Sequence, residues 1–420
     1  LTSLRVCLVV ETYHPVIGGG ETQARTVAAG LGAHGIRTWV ITRRSDAAFA
    51  RAESIDDVPV LRLGPAGPGH LKKWAMLPGL LATLLRRRRD WDVVLVSGYR
   101  VLGIAAVPAA RLLGKRVVLK ADNDGEMSGS YFQGGAAKLG LAGKGRLVAA
   151  IVAVRNVLLR RADAFVALSS GMRGELEAHG VRPERITDIP NSVDTARFRP
   201  VAPAERTALR ARLGLPAEGP IVVFAGRLLA GKGVMDLARS WAELAPAFPE
   251  ATLVIVGSGK GLMHDCEAEL HAFIAARGLG PRVVTTGFVT NVEAYLQAAD
   301  IFAFPTTDEA FGLALVEAMA TGLAAVAARV GGIRDIVEPG VNGLLIEPRD
   351  QPALTAALRR LLADPALRRE LGEAATATVA ARYTNAAVLA GYATLFNGLV
   401  RQRSAARPAD VRPEAERDRA

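Results

Sequence analysis

Continuous apolar runs alternate with helical patterns along this chain, the alternation breaks off, and then it begins again. Arg5–Val10, Thr38–Thr42, Val58–Leu63, Val93–Ser97, Val117–Lys120, Ala164–Leu168 and Ile186–Ile189 read as strands. Glu21–Gly32, Met76–Leu85, Ile104–Leu113, Leu147–Arg161 and Gly171–His179 read as helices between them. Pro200–Pro220, rich in Pro and Ala, interrupts the pattern and reads as a linker with a short helix inside. The strands Ile221–Ala225, Thr252–Val256, Val283–Thr285, Ile301–Phe304 and Ala325–Ala327 then follow, with helices at Val234–Leu244 and Gly261–Arg277. Strands that are apolar throughout are covered on both faces, which implies parallel sheets between helix layers. Two such runs predict an α/β protein of two doubly wound domains, with ligands in the cleft between them. The expected divisions are residues 1–199, a linker at 200–219, residues 220–385, and a helix at 386–400. The tail 401–420 has no apolar period and is expected to be disordered.

Several kinds of chemistry find no support. The two cysteines, Cys7 and Cys266, form no CxxC pair, and the six histidines show no metal-ligand spacing. No metal and no cofactor is expected. No GxSxG nucleophile motif is present. The turn after the first strand, Pro15-Val16-Ile17-Gly18-Gly19-Gly20-Glu21, is not a dinucleotide fingerprint, and the second strand ends in Thr42-Arg43-Arg44 without an acidic residue. Leu4–Val10 reads as a first strand rather than a targeting segment, and no apolar run approaches the ~20 residues that span a bilayer. A cytoplasmic protein, soluble or peripheral on a membrane, is the expectation.

The chemistry that remains sits at strand ends. Glu309 and Glu317 stand eight positions apart in a stretch that runs from a strand through a polar loop into a helix starting near Gly312. A glycine at a helix start leaves backbone N–H groups bare, and these with the helix dipole make an anion site. Carboxylates beside such a site are poor phosphate ligands but good acceptors for sugar hydroxyls, so the stretch reads as a pocket for a nucleotide-linked sugar. Gly226–Gly233 follows the first strand of the second half and carries Arg227 and Lys232, two cations suited to a diphosphate. Gly18 and Gly19 let a backbone approach a phosphate closely, and Val256-Gly257-Ser258-Gly259 ends the next strand. Asp122, Asp124 and Glu126 end the strand Val117–Lys120 and offer acid, base or hydroxyl ligands.

Charge is unevenly spread. Residues 1–200 hold 29 of the 52 Lys and Arg but 17 of the 41 Asp and Glu, so the positive excess belongs to the first half. Arg86–Arg89 closes an apolar helix, and residues 131–161 carry Lys138, Lys144, Arg146, Arg155, Arg160 and Arg161 with no acidic residue. Cations mixed with bulky apolar groups suit an interfacial segment. An anionic partner for the first half is expected, a membrane surface, a phosphorylated acceptor or nucleic acid, with nucleic acid the least expected of the three.

Five motifs in order resemble the retaining glycosyltransferases of family 4, which have the GT-B fold of two Rossmann-like domains facing across a cleft. They are P-x-x-G-G-x-E at Pro15–Glu21, P-N-x-V-D at Pro190–Asp194, G-R…K-G at Gly226–Gly233, V-G-x-G at Val256–Gly259 and E-x7-E at Glu309–Glu317. The resemblance covers about residues 4–400. It implies an N-terminal acceptor domain, a C-terminal nucleotide-sugar domain, and a final helix that crosses back to the first. It implies that Arg227 and Lys232 hold the donor diphosphate with backbone N–H groups near Phe311, Gly312 and Leu313. Gly18 and Gly19 would close onto the diphosphate. Glu317 would accept from the ribose and Glu309 would face the donor sugar. Phe288 and Val289 would run along the base, with Gly257 near the nucleoside.

The sequence departs from the family in three places. Ala121-Asp122-Asn123-Asp124 stands where many members carry a His, which makes Asp124 the candidate acceptor-side polar group. Ser192 replaces a usual Gly and Ala324 a usual Pro. The implied activity is metal-independent, retaining sugar transfer to a glycan, lipid-linked or small-molecule hydroxyl, in cell-envelope, exopolysaccharide or glycolipid synthesis. The alternatives are a nucleotide-sugar epimerase or hydrolase of the same shape, and a non-catalytic basic protein that binds membrane or nucleic acid.

Overall fold

A computed structural model describes residues 3–67, 72–129 and 145–405. The first sheet has eight strands: β1 Arg5–Val9, β2 Arg37–Arg43, β3 Ala52–Ile55, β4 Val58–Leu63, β5 Val93–Ser97, β6 Arg116–Lys120, β7 Ala164–Ala167 and β8 Ile186–Asp188. Their order is β3-β4-β2-β1-β5-β6-β7-β8, parallel except for β3 against β4. The second sheet comprises β9 Ile221–Ala225, β10 Thr252–Val256, β11 Val283–Thr285, β12 Ile301–Phe304, β13 Ala324–Ala328 and β14 Leu344–Ile346. Its order is β11-β10-β9-β12-β13-β14, parallel throughout.

Both sheets start in the middle and wind outward twice. The chain leaves β1 toward β2 and returns on its other side at β5; it leaves β9 toward β10 and returns at β12. The crevice of a doubly wound sheet opens where the order reverses, at the carboxyl ends of the strands. The loops after β1 and β5, and those after β9 and β12, therefore occupy the ligand-binding edges. The strands there are buried on both faces, as their unbroken Val, Ile, Leu and Phe content requires.

The sequence reading and the structure differ where burial hides the period. The helix expected at Ile104–Leu113 begins at Tyr99, because its first turns are buried nearly all round. The helix expected at Gly261–Arg277 begins only at Glu267. Edge strand β3 was not expected, since its residues are mostly exposed and lack the apolar run. The helices Gln351–Ala363 and Pro365–Arg382, and strand β14, add to the second half. Within the expected linker, the helix Pro203–Arg212 is anchored: Arg210 is buried and binds Asp300 Oδ2 at 2.8 Å and the Ala298 carbonyl at 2.9 Å.

The final helix runs Asn385–Ala405, past the expected end at Val400. Its Leu389, Tyr392 and Phe396 join Val6, Leu8 and Leu31 in one apolar cluster on the first sheet. Residues 401–405 of the tail expected to be disordered are therefore helical, while its residues 406–420 and the basic positions Lys138 and Lys144 lie outside the described residues. No helix among the described residues is long and apolar enough to cross a membrane. Both cysteines are buried and free.

Candidate active site

Lys232 lies in the loop after β9, immediately before Gly233, whose φ of 70° turns the chain into the helix Val234–Leu244. A Cβ on Gly233 would overlap the Pro305 carbonyl, so this loop is pressed onto the loop after β12. That contact brings Lys232 Nζ to 2.7 Å from Glu309 Oε2 and 3.1 Å from the Asp308 carbonyl. Arg227, on the same loop, is exposed, and no described residue binds its guanidinium. Gly257 is held as closely: its φ is 133°, a Cβ would overlap the Gly226 carbonyl, and its N–H donates to Gly287 O at 3.0 Å. Glu267 accepts from Ser258 Oγ at 2.5 Å and Gly259 N at 2.9 Å, which fixes this turn and lowers the Glu267 carboxyl. Beyond the Gly257–Gly287 bridge, Phe288 is 66% exposed and Val289 packs partly on the core.

Gly312 starts the helix Leu313–Ala320 with a φ of 105° and no side-chain cap. The first N–H groups of this helix therefore point out unclaimed by any capping side chain. Phe311, 4% exposed, is set edge-on to Tyr383 with ring centroids 5.9 Å apart, which pins the entry to the helix. Glu317 is one turn further in. Burial pushes its carboxyl up to about 7; Arg197 opposes this and Glu293 adds to it. No described side chain binds the Glu317 carboxylate.

The first half meets this edge at two points. Gly18 caps the helix Gly19–Gly30 with extended backbone and no side-chain bond, and a Cβ on Gly19 would lie 3.7 Å from Leu313 Cδ2. Two uncapped helix starts thus adjoin across the cleft. On the other side, a Cβ on Gly331 would overlap the Glu309 carbonyl and lie 3.6 Å from Asp124 Oδ2. Asp124, Gly331 and Glu309 are therefore neighbours. Enclosure, then the charges of Glu175, Asp308 and Glu309, push the Asp124 carboxyl up to about 6.

Asp124 rides on a loop with a built frame. Glu175 accepts from the backbone N–H of Gly125 at 2.8 Å, Met127 at 2.9 Å and Ser128 at 2.8 Å. Asp122 is turned away into the first sheet, where it accepts from Ser97 Oγ at 2.8 Å and pairs with Lys120. Glu126 is buried, and its carboxyl is pushed up to about 7 by burial and by Asp122. Of the three carboxylates read from the sequence, Asp124 is thus the one beside Glu309. Sequence reasoning missed Gly331, although a Gly-Gly pair after β13 was the available signal. It missed Glu175 as well, which sits in the helix Ser170–Ala178 with no motif around it.

Comparison with known proteins accords with this geometry. Residues 205–378 match the family described as Glycosyl transferases group 1, and residues 18–192 match the Glycosyl transferase 4-like domain. The D-inositol 3-phosphate glycosyltransferase of Xylanimonas cellulosilytica is 30% identical over 376 residues, covering 86% of this chain and 87% of its own. The sucrose-phosphate synthase of Thermosynechococcus elongatus superposes with a TM-score of 0.78 at 24% identity, over 95% of this chain and 100% of that one. Anabaena HepE in complex with UDP-glucose gives 0.74 at 22% identity, over 94% of this chain and 100% of that one.

Proposed function

The chain belongs to the group 1 glycosyl transferases, of the family 4 type with the GT-B fold, and from that premise we propose a retaining, metal-independent transfer of a sugar from a nucleotide diphosphate to an acceptor hydroxyl. One observation carries the reading: Lys232, on the loop after β9, pairs with Glu309 on the loop after β12 that leads into the uncapped helix start at Gly312, at the reversal point of the second sheet. Arrival of a diphosphate draws Lys232 from Glu309 to phosphate oxygen. That exchange frees the Glu309 carboxylate to accept from sugar hydroxyls. Arg227 and the N–H groups of Gly312 and Leu313 take up the rest of the charge.

Bond breaking then leaves a diphosphate and an oxocarbenium-like sugar. Cations and helix N-terminus stabilise the leaving charge where it develops, the role a metal fills elsewhere. The acceptor hydroxyl attacks from the leaving-group face, so configuration is retained, and the departing phosphate oxygen takes its proton. In this reading Gly18 and Gly19 close over the diphosphate, Glu317 holds the ribose, and Gly257, Phe288 and Val289 flank the base. The complex of Anabaena HepE with UDP-glucose makes a UDP-sugar the first donor to try.

The acceptor passes the Asp124 loop. Uncompensated negative charge at Asp124 and Asp308 disfavours an anionic group at the reacting hydroxyl itself. The cationic excess of the first half then serves attachment: a lipid-linked acceptor at the inner face of the cell membrane, in envelope or exopolysaccharide synthesis. A thermal-shift panel of UDP-, GDP- and ADP-sugars tests the donor part, because a ligand that binds only the folded state raises Tm by mass action. Stabilisation by one donor that persists in Asp124→Asn but is lost in Lys232→Ala is expected; no response to any nucleotide sugar would overturn the reading.

A further inference from the structure

The helix Gly145–Leu159 buries Leu159 at its carboxyl end but also turns two polar side chains inward and an apolar stripe outward. An amphipathic helix on a soluble protein turns its apolar side inward. Here Arg155 and Asn156 are each 6% exposed, while Ile151 is 59%, Val154 73% and Val157 50% exposed. Its inward polar groups have partners: Arg155 donates to the Glu126 carbonyl at 2.8 Å and the Met127 carbonyl at 3.0 Å, and Asn156 donates to Met127 O at 2.8 Å. A neighbouring helix end lies beside the carboxyl end of this helix. Arg111 Nε binds the Arg161 carbonyl at 2.7 Å, and Leu112 beside it is 76% exposed. An exposed apolar stripe such as Ile151, Val154 and Val157 form on one side of a helix marks an interaction surface.

The rim shows what it meets. Arg111, Arg160 and Arg161 are exposed at the carboxyl end of the stripe, and Arg185 reaches the Arg160 and Ala162 carbonyls. No acidic residue occurs between Glu126 and Asp163. Asp163 itself is turned in, 2.7 Å from Arg116 and 3.7 Å from Arg111, which leaves Arg160 and Arg161 as the rim cations without an acidic neighbour among the described ion pairs. A second copy of this chain would bring the same cations against these and be repelled. A bilayer rich in anionic lipid complements both the apolar stripe and its rim. We infer that the outer side of the helix Gly145–Leu159 is a docking face for an anionic lipid bilayer.

The consequence for the proposed reaction follows from the helix's other side. The carbonyls it holds belong to the loop that carries Asp124. One helix would then touch lipid outside and brace the acceptor loop inside. This rests on the membrane part of the proposed function and not on the transfer itself.

Co-sedimentation of the full chain with vesicles tests it, using phosphatidylcholine alone and phosphatidylcholine with phosphatidylglycerol. Binding to the anionic vesicles at low salt and its loss at high salt are expected. Ile151→Asp with Val154→Asp, both at exposed positions, should reduce the bound fraction about tenfold or more. Arg160→Glu with Arg161→Glu should weaken binding and flatten its salt dependence. Wild-type protein that stays in the supernatant, or aspartate variants that bind as well as wild type, would overturn the inference. So would aspartates that turn a dimer into a monomer by light scattering, since the face would then belong to a second copy. The donor-induced shift in Tm, read on the same variants, separates failure of docking from failure of the transferase reading.

Discussion

Lys232 Nζ and Glu309 Oε2 are 2.7 Å apart, each side chain about one-fifth exposed, at the meeting of the two loops that flank the sheet's reversal point. Each member satisfies the other before any ligand arrives. In a half-buried setting, removing one member leaves the other charge without its partner.

The two single variants should therefore differ in kind. Lys232→Ala removes the cation proposed to meet the diphosphate and leaves Glu309 facing the anion, so it should weaken nucleotide-diphosphate binding and cut turnover by about 10²- to 10³-fold. Glu309→Gln releases Lys232 toward phosphate. It should bind the nucleotide diphosphate as well as or better than wild type, yet lose turnover on a similar scale. Calorimetry of nucleotide binding beside initial rates checks this; parallel losses of binding in both variants would refute the exchange.

Glu317 predicts a pH dependence. Its carboxyl stands near 7 in the folded protein, against an ordinary value of 4.5, and burial is the main cause. The folded state therefore holds a proton that the unfolded chain has lost, and stability falls as pH rises from about 4.5 to about 7. The full effect is up to about 3 kcal/mol. Glu317→Gln should flatten the fall, so that the variant equals wild type near pH 4 and exceeds it near pH 8 in urea denaturation. In the proposed role of Glu317, ribose hydroxyls donate to its charged form, so donor binding should strengthen as pH rises through 7 and should release protons.

Asp335 predicts a change in closure. It lies in the short helix Ile333–Ile336 of the second half, yet its Oδ2 accepts from Ser170 N at 2.6 Å and its Oδ1 from Ser170 Oγ at 2.6 Å. A second-half carboxylate thus sits at the amino end of a first-half helix, where the helix dipole favours it. That helix carries Glu175, the frame of the Asp124 loop. Asp335→Ala should open the cleft, by about 1 kcal/mol or roughly fivefold in the closed fraction. Small-angle scattering should show a larger radius of gyration with little change in Tm, and KM should rise more than kcat falls.

The strands around the site were legible because their chemistry is local. Ile221–Ala225, Thr252–Val256 and Ile301–Phe304 are observed with the same ends as the sequence implied, each bounded by a Gly, Pro or charged turn. The strand β3 was not legible, because Ala52–Ile55 owes its pairing to β4 rather than to its own burial. Glu309 and Lys232 were readable as separate loop features, but their contact depends on Gly233 pressing against Pro305. Asp335 on Ser170, and Asp124 beside Gly331, join residues far apart in the chain, and no periodicity records such a pairing.

Gly331 gives the sharpest contrast between two glycines. Its φ is 42°, and a Cβ would overlap the Glu309 carbonyl, so backbone would have to move. Gly20, in the first turn of the helix Gly19–Gly30, has nothing within 4 Å of its Cβ position. Gly20→Ala should leave stability unchanged or raise it by about 0.5–1 kcal/mol, through helix propensity and a less free unfolded chain. Gly331→Ala should lower stability by about 1–3 kcal/mol from the strained backbone alone. More telling is where the strain goes. The atom in the way is the carbonyl of Glu309, so the displacement falls on the residue paired with Lys232. Gly331→Ala should therefore weaken the nucleotide-sugar thermal shift beyond what its own stability loss explains, whereas a destabilised core variant of equal Tm should keep it. Equal shifts in the two proteins would show that the Gly331 turn does not set the position of Glu309.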